Sequence, residues 1–228
     1  MAENERVKEF LHEGLKELGI EPDDSAISRF MIYIRELKKW NRAYNLTAIK
    51  EDRDIVIKHF LDSLLYLTAI PEGRWNICDI GSGAGFPGVP IAIVRPELNV
   101  VLNEPSRKKA AFLRHIRRLL SLNNVEVLEC RVEDIRDRLF DIAVTRALFS
   151  IRDLTKKAGH IISRDGFFVL SKGPACAVGT ADRPAGDEFK NIPDTIKCEV
   201  VATVMLGGLL QRKIIKCKKF DTEAGKNK

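Results

Sequence analysis

The sequence lacks any apolar run close to the roughly 18–20 residues that a membrane-spanning helix requires, so we expect no membrane association. Its first ten residues are polar and acidic and do not resemble a signal peptide, so we expect a cytoplasmic protein. Aromatic residues make up only 7% of the 228 residues, whereas 45% are hydrophobic and 31% are charged. This composition indicates a globular chain with one main domain.

Cysteine is scarce and scattered. The five cysteines lie far apart and form no C-x-x-C pair: Cys78, Cys130, Cys176, Cys198 and Cys217. Structural zinc sites and the disulfide frameworks of small secreted domains use clustered or even-numbered cysteines. We therefore expect neither a disulfide framework nor a bound metal.

Basic charge is concentrated in the later part of the chain. Residues 1–70 carry 11 Lys and Arg against 13 Asp and Glu, residues 71–228 carry 27 against 19, and the net charge is +6. Such an excess favours a polyanionic partner, although solvated faces of ordinary helices can have the same composition. Two clusters supply most of it: Arg107, Lys108, Lys109, Arg114, Arg117 and Arg118, and then Arg212, Lys213, Lys216, Lys218 and Lys219.

The first seventy residues have helical periodicity. No single pattern there is long or apolar enough to be stable alone. We therefore expect residues 1–70 to form a helical extension packed on a domain formed by residues 71–228. The patterns are Val7 to Leu18 with Gly19 as a stop signal, residues 27–37 with Asp24 or Ser25 as the N-cap, and residues 55–67.

Beyond residue 75, short β-branched runs alternate with helical patterns, of which residues 107–120 are the clearest. This alternation is typical of an α/β fold with a parallel sheet and helices on both faces. The last two β-like runs are joined through Gly207-Gly208 without a helix, so we expect them to pair antiparallel. About seven strands are expected, five of them parallel: Asn76–Ile80, Val100–Asn103, Val125–Leu128, Phe140–Thr145, Gly166–Leu170, Glu199–Met205 and Lys213–Cys217.

Residues 172–195 interrupt this alternation with a composition rich in Gly, Ala and Pro. Two interpretations stay open for them, a mobile loop over a site or a surface connection. Composition does not choose between the two.

A glycine-rich loop follows the first expected strand. It runs from Asp79 to Gly88 and has the form Asp-x-Gly-x-Gly-x-Gly. Glycines at alternate positions let the backbone turn tightly and approach a ligand, and open parallel sheets bind ligands at the carboxyl ends of their strands. The dinucleotide fingerprint G-x-G-x-x-G would need glycine where Phe86 stands.

An acid just ahead of this loop favours an amino-acid moiety over a pyrophosphate, which binds at helix N-termini away from carboxylates. S-adenosylmethionine carries an ammonium group that Asp79 could accept or orient. Its carboxylate could be met by the loop amides. The loop glycines assigned to cofactor binding are Gly81, Gly83 and Gly85.

Further acids follow the second and third expected strands. Glu104 could take both ribose hydroxyls, a role that NAD and S-adenosylmethionine sites share. After the third strand, Glu133 or Asp134 could contact the adenine edge together with the adjacent backbone. The alternative for these two acids is a helix N-cap.

Several segments of the chain closely resemble one family. They are Trp40-Asn-Arg-Ala-Tyr-Asn-Leu-Thr-Ala-Ile49, His59-Phe-Leu-Asp-Ser-Leu64, the glycine loop, Thr145-Arg146-Ala147 and Leu170-Ser-Lys-Gly173. The family is the bacterial small-subunit ribosomal RNA guanine-N7 methyltransferase, also called glucose-inhibited division protein B. The glycine motif alone is general to class I methyltransferases, whereas its combination with the other segments is specific.

The resemblance implies a class I, Rossmann-like methyltransferase fold with a seven-stranded, mostly parallel sheet and an antiparallel last strand. It implies S-adenosylmethionine as methyl donor and N7 of a guanosine in 16S rRNA of the small ribosomal subunit as acceptor. The implied cofactor contacts are Gly81, Phe86, Val132, Glu133 and Arg146. The chain departs from the family at Glu104-Pro105-Ser106, where Asp-Ser is usual, but it keeps the carboxylate.

The implied chemistry needs no general base, because guanine N7 attacks with a free lone pair and loses no proton. The task of the protein is then to hold N7 in line with the methyl–sulfur bond. Arg146 follows the fourth strand, and we expect it to position the donor or guanine O6 rather than to act in acid–base chemistry. A salt bridge without a catalytic role is the alternative.

Substrate contact is expected from basic and aromatic side chains of a monomer whose partner is 16S rRNA. The candidates for RNA phosphates are Lys172, Arg107, Lys108 and Lys109. The candidates for stacking on an exposed base are Phe86, Tyr44 and Trp40, with the core as the favoured place for Trp40. Core or capping roles are expected for Asn45, His59 and Asp62.

Three other functions stay open on the residues alone. A nucleotide-dependent oxidoreductase would share the sheet, but the missing fingerprint glycine and the antiparallel closing pair disfavour it. A class I methyltransferase acting on a small molecule or a protein would not need the basic clusters. A non-enzymatic RNA-binding module would not need the glycine loop with Asp79 and Glu104.

Overall fold

A computed structural model of the chain describes residues 2–21, 23–146, 150–173, 192, 195–208 and 210–219. Most of the stretch 172–195 lies outside the described residues, as do Ala147 of the Thr-Arg-Ala segment and Cys176. Both interpretations of the 172–195 stretch therefore stay open.

One sheet organises the described part of the chain. Its strands are β1 Asn76–Ile80, β2 Asn99–Asn103, β3 Val125–Leu128, β4 Phe140–Arg146, β5 Ile162–Lys172, β6 Ile196–Leu206 and β7 Leu210–Lys219. The order is β3-β2-β1-β4-β5-β7-β6. Neighbours from β3 to β5 are parallel, and β7 is antiparallel to both β5 and β6. The predicted α/β class and antiparallel closing pair are confirmed, and each predicted strand lies within an observed one.

The helices surround this sheet. They are α1 Ala2–Glu17, α2 Asp24–Tyr44, α3 Asp52–Ile55, α4 Asp62–Leu64, α5 Gly88–Val94, α6 Arg107–Leu119 and α7 Ile151–Ala158. The N-cap of α2 is Asp23, one residue before the predicted positions, because its side chain accepts from the Ala26 amide at 2.6 Å. None of the helices in the described ranges is long and apolar enough to span a bilayer.

The third predicted helix, over residues 55–67, is not a continuous α-helix. Val56–Leu61 is a π-helical turn, and Leu65–Thr68 is a 3-10 turn. Within the π turn, the Lys58 carbonyl accepts a hydrogen bond from Arg146. Apolar spacing does not distinguish these helical forms, and single π turns are frequent at functional sites.

The helical extension and the sheet share one apolar core. Buried residues of α1, α2 and the 55–70 stretch form a continuous cluster with side chains of β1, β2, β4 and β5. Phe30, Tyr33 and Phe60 are fully buried in it. A second cluster, which includes α7, covers the opposite face. The extension therefore covers part of one face of the sheet.

One cysteine pair is bonded, so the expectation drawn from the scattered cysteines is wrong for this pair. Cys198 on β6 and Cys217 on β7 face each other in the antiparallel register and form a disulfide. They are 19 residues apart in the sequence, and only the strand pairing brings them together. Cys78 and Cys130 are free thiols.

Candidate active site

The glycine loop forms a tight turn at the carboxyl end of β1, the edge at which open parallel sheets bind ligands. Gly81, Gly83 and Gly85 have φ values of 68°, 60° and 99°, which L side chains rarely adopt. Gly85 is also enclosed, because an added Cβ would lie 2.5 Å from Tyr33 Oη and 2.8 Å from Val89 Cγ2. The loop thus needs glycine both for its turns and for its packing against α2.

The loop amides donate their hydrogen bonds to acceptors of the protein itself. This differs from the expectation that they would donate to the carboxylate of a cofactor. The N–H groups of Gly81 and Ser82 both donate to the Asn103 carbonyl, at 2.8 and 3.1 Å. The N–H of Gly83 donates to Glu104 Oε2 at 2.8 Å. Because the turns direct these donors to the end of β2, their role here is to fix the loop.

Asp79 is completely buried at the end of β1. Its Oδ2 accepts from the Gly88 amide at 2.8 Å, whereas Oδ1 has no hydrogen-bond partner among the described residues. Burial raises the pKa of Asp79 to about 7, although hydrogen bonds from Gly88 and Ser82 act in the opposite direction. The unpartnered oxygen is the acceptor that the ammonium group of a ligand would need.

Glu104 lies beside the glycine loop at the end of β2 and is buried. Its Oε2 accepts from the Gly83 amide and its Oε1 accepts from the Ser106 amide, at 2.8 and 2.9 Å. A carboxylate has about four lone-pair sites, so these amides orient the group and leave it capacity for two hydroxyls. This geometry suits the predicted ribose contact.

Two tyrosines of the helical extension fix the backbone at this edge, and neither was predicted from the sequence. Tyr33 donates to the Ala84 carbonyl at 2.5 Å. Tyr66 donates to the Thr145 carbonyl at 2.8 Å and accepts from the Ser171 amide at 3.2 Å, so it bridges β4 and β5. Burial raises the pKa of both phenols, which keeps them protonated. Neither tyrosine lies in one of the motifs from which site residues were predicted.

The ring of Phe86 packs inside the protein, so it is not available to stack on a base, contrary to the expectation. It is 3% exposed. It lies nearly parallel to the His59 ring, with centroids 4.3 Å apart, and stacks on Tyr33 at 5.4 Å. The guanidinium of Arg146 lies 5.3 Å from its centroid. Phe86 therefore connects the glycine loop to the helical extension.

The other aromatic candidates differ in exposure. Trp40 packs against Phe112 of α6, with centroids 5.5 Å apart, in line with a core role. Tyr44 is 45% exposed and remains accessible. Asn45 ends α2 in a left-handed conformation, and its backbone N–H donates to the backbone carbonyl of Asn41.

Arg146 is the centre of a polar cluster at the end of β4. Its Nη1 donates to the Lys58 carbonyl and to His59 Nδ1, both at 3.1 Å, and lies 3.7 Å from Asp62 Oδ2. Arg212 of β7 donates from Nε to Asp62 Oδ1 at 2.8 Å. One fully buried carboxylate thus holds two arginines whose side chains are about a quarter exposed.

The pairing of Asp62 with Arg212 was not visible in the sequence, since 150 residues separate the two. Burial raises the pKa of Asp62, and both arginines act in the opposite direction. Asp62 has the core hydrogen bond that was expected of it, and this contact joins the start of α4 to β4 and β7.

His59 is buried as predicted, but both of its ring nitrogens also have polar partners. Nδ1 lies 3.1 Å from Arg146 Nη1, and Nε2 lies 2.8 Å from Thr47 Oγ1. Burial, followed by the charge of Arg146, lowers the pKa of His59 to about 3. The imidazole is therefore neutral at physiological pH.

The turn after β3 carries the remaining predicted cofactor contacts. Val132 is buried in it. Glu133 forms an ion pair with Lys157 of α7, which lowers the pKa of Glu133. The N-cap of this turn is Arg131, so neither Glu133 nor Asp134 has the capping role that was the alternative.

The predicted RNA contacts lie at the same edge of the sheet, because the carboxyl ends of parallel strands meet there. Arg107, Lys108 and Lys109 form the first turn of α6, which contains no acidic residue. Lys172 is the last residue of β5, one position beyond the partner of Arg146 in the register.

Comparison with solved structures identifies the class of fold. MtNAS in complex with MTA and tNA matches with a TM-score of 0.58 at 13% identity, over 95% of this chain and 87% of that chain. The putative transferase PH0793 from Pyrococcus horikoshii matches with a TM-score of 0.54 at 13% identity, over 71% and 63%. The sheet topology and the glycine loop that Asp79 precedes are those of the class I, Rossmann-like methyltransferase fold.

Sequence comparison identifies the family. Residues 26–188 match the family GidB, rRNA small subunit methyltransferase G. Ribosomal RNA small subunit methyltransferase G of Neisseria meningitidis serogroup C (strain 053442) is 37% identical over 202 residues, 89% of this chain and 93% of that protein. The protein of the same name from Syntrophus aciditrophicus (strain SB) is 40% identical over 167 residues, 71% and 69% of the two chains. The chain belongs to the rRNA small subunit methyltransferase G family.

The residues at the active edge fit S-adenosylmethionine, the methyl donor of this class. The free oxygen of Asp79 suits its ammonium group, and the carboxylate of Glu104 suits its ribose hydroxyls. Asp79 would oppose a pyrophosphate, whereas Glu104 suits the ribose of either cofactor. The buried carboxylate of Asp79 therefore favours S-adenosylmethionine over a dinucleotide.

Proposed function

We propose that this protein transfers the methyl group of S-adenosylmethionine to N7 of a guanosine in the 16S rRNA of the small ribosomal subunit. One observation carries the proposal: the two titratable side chains that contact Arg146, His59 and Asp62, are both engaged within the protein. His59 is neutral with both ring nitrogens engaged, and two arginines share Asp62. Guanine N7 suits such a site, because its lone pair attacks without the loss of a proton.

Arg146 is the residue that we propose to position the acceptor or the donor. S-adenosylmethionine supplies an electrophilic methyl group on its sulfonium. Nε and Nη2 of Arg146 have no partner among the described residues, so they can donate to guanine O6 while N7 stays free. The buried carboxylate of Asp62 offsets the charge of Arg146 as positive charge moves from sulfur to the purine.

Basic residues around the edge support an RNA substrate. Three cations lie in the first turn of α6, where the helix dipole disfavours each by about 0.3–1 kcal/mol. A bound phosphate would offset this unfavourable energy. A groove of about 690 Å³ at the end of α2 adds Lys38, Arg42 and Lys50. We propose that residues 107–109 and Lys172 contact RNA phosphates.

We further propose that the protein acts as a monomer in the cytoplasm, where its ribosomal substrate is found. Light scattering of the purified chain, alone and with small subunits, checks the oligomeric state. A dimer under both conditions would contradict this part of the proposal.

The decisive experiment incubates the protein with methyl-labelled S-adenosylmethionine and small ribosomal subunits from cells that lack it, followed by digestion of the RNA to nucleosides. Label in N7-methylguanosine is the expected result. Label in another nucleoside, or none despite cofactor binding, would refute the assigned acceptor. Arg146→Ala should lower turnover strongly. Arg138→Ala serves as the control, because Arg138 pairs with Glu126 on the surface.

A further inference from the structure

A chain of hydrogen bonds leads from the end of α2 to Arg146. The Thr47 amide donates to Asn41 Oδ1 at 2.8 Å, and Thr47 Oγ1 accepts from the Ile49 amide at 3.1 Å. The same oxygen lies 2.8 Å from His59 Nε2, and His59 Nδ1 lies 3.1 Å from Arg146 Nη1. The threonine is therefore fixed by the backbone before it meets the histidine.

The chemistry of these groups determines the proton on His59. A guanidinium has only donors, so His59 Nδ1 must accept from Arg146. The ring proton is then on Nε2, where it is donated to Thr47 Oγ1. Protonation of Nδ1 would turn this acceptor into a donor facing the donor of Arg146. The pair holds together only while the imidazole is neutral.

The surroundings leave the imidazole little freedom. Its ring is 4% exposed and lies against Phe86 with an angle of 10° between the planes. The Lys58 carbonyl, presented by the π turn, accepts from the same Nη1 of Arg146 at 3.1 Å. One end of the guanidinium is thus bound by His59, by Lys58 and by the charge of Asp62, while Nε and Nη2 have no partner in the part of the chain that is described.

We propose that His59 and Thr47 are positioning residues of the methyl-transfer reaction. Neutral His59 accepts from Arg146 through Nδ1, Thr47 fixes the Nε2–H tautomer, and the free N–H groups of Arg146 are thereby directed to the substrate or the donor. This proposal rests on the proposed function for the step that is accelerated. It assigns to two residues of the helical extension a role in positioning Arg146.

The test compares two replacements that keep different halves of the imidazole. In His59→Asn the amide oxygen can replace Nδ1 as acceptor for Arg146, whereas in His59→Gln the amide reaches Thr47 and no longer accepts from Arg146. We expect His59→Gln to lower kcat by on the order of tenfold or more, and His59→Asn to lower it less. Thr47→Val should lower kcat about as much as His59→Gln does. Thr47→Ser, which keeps the hydroxyl group, should have a kcat close to that of the wild type.

A double-mutant cycle separates positioning from simple packing. If His59 acts through Arg146, His59→Gln should have little further effect on kcat in the Arg146→Lys background. Equal fold-losses in both backgrounds, with matching losses of thermal stability, would mean a structural role and would overturn the proposal.

A measurement independent of turnover uses ¹⁵N-labelled histidine. The chain has 4 histidines, and the His59 signals are identified by their loss in His59→Gln. We expect an unprotonated Nδ1, a protonated Nε2 and no titration between pH 5.5 and 8, since the pKa of His59 is about 3. A protonated Nδ1 would overturn the proposal. If the wild type failed to methylate N7 while this tautomer was present, the proposed function would fail and the tautomer assignment would stand.

Discussion

Gly85 gives the sharpest test of how the glycine loop is held. In Gly85→Ala the new Cβ would lie 2.5 Å from Tyr33 Oη, 2.8 Å from Val89 Cγ2 and 3.2 Å from Leu113 Cδ2, on a backbone with φ of 99°. Backbone strain of about 1–3 kcal/mol and overpacking of about 1–3 kcal/mol add to an expected loss of roughly 2–6 kcal/mol. Such a loss is a large part of the stability of a typical domain.

Gly83→Ala is the matched control in the same loop. Its φ is 60°, but the atom nearest to an added Cβ is the Gly81 carbonyl oxygen at 3.9 Å. Only the left-handed strain remains, about 1–2 kcal/mol. Urea unfolding of both variants gives the difference in the free energy of unfolding, which measures the enclosure of Gly85. Equal losses for the two variants would refute the reasoning.

A second substitution identifies the obstructing atom. Tyr33→Phe alone removes the hydrogen bond to the Ala84 carbonyl and should cost about 1 kcal/mol. In the Gly85→Ala background it also removes the closest clash, so the combined loss should be smaller than the sum of the two single losses. Additive losses would mean that the loop moves away from Tyr33 instead of pressing against it.

Three further predictions concern charge and buried polar groups. Because the pKa of Asp79 is raised to about 7 in the folded protein, the stabilisation that its protonation provides is lost as the pH rises from about 4 to about 7. Asp79→Asn should therefore gain stability relative to the wild type as the pH rises through that range, and the gain should level off above pH 7 at roughly 4 kcal/mol; parallel pH profiles in urea unfolding would contradict this. Tyr66→Phe should cost about 1–3 kcal/mol, because it leaves the Ser171 amide and the Thr145 carbonyl without their partner, and an unchanged unfolding midpoint would argue against that role. Replacement of residues 107–109 by Gln should weaken RNA binding and flatten its dependence on salt, by about 0.7 in logarithmic slope for each phosphate that the variant no longer neutralises; an unaltered slope would exclude them from the RNA interface.

The order and type of the elements could be predicted from the sequence because their signals are local. Each of the seven predicted strands lies within an observed strand, and the Gly207-Gly208 junction correctly indicated the antiparallel closing pair. The position of β7 between β5 and β6 was not predicted. It depends on which strand edges meet, a property that periodicity does not contain.

In the candidate site, too, some residues could be predicted from local sequence signals and others could not. Asp79, Glu104 and Arg146 could be identified because each lies at or directly after the end of a recognisable strand, and parallel strands bring such residues to one edge. The π-helical turn that contains His59 was predicted as an ordinary helix, since its apolar spacing is compatible with either form. Phe86 was expected near a base, and only the packing of the helical extension revealed that its ring is enclosed.

By itself the sequence determined the α/β class and the glycine loop, because backbone requirements and hydrophobic period act over a few neighbouring residues. The family resemblance was visible because its motifs are short continuous segments of the chain. Only the tertiary structure decided that Asp62 joins Arg146 to Arg212 across 150 residues of sequence, and that Cys198 meets Cys217. It also decided that Thr47 and His59 support Arg146. These contacts depend on strand register and on the packing of the helical extension over the sheet, and distances between residues far apart in the chain are fixed only when both are in place.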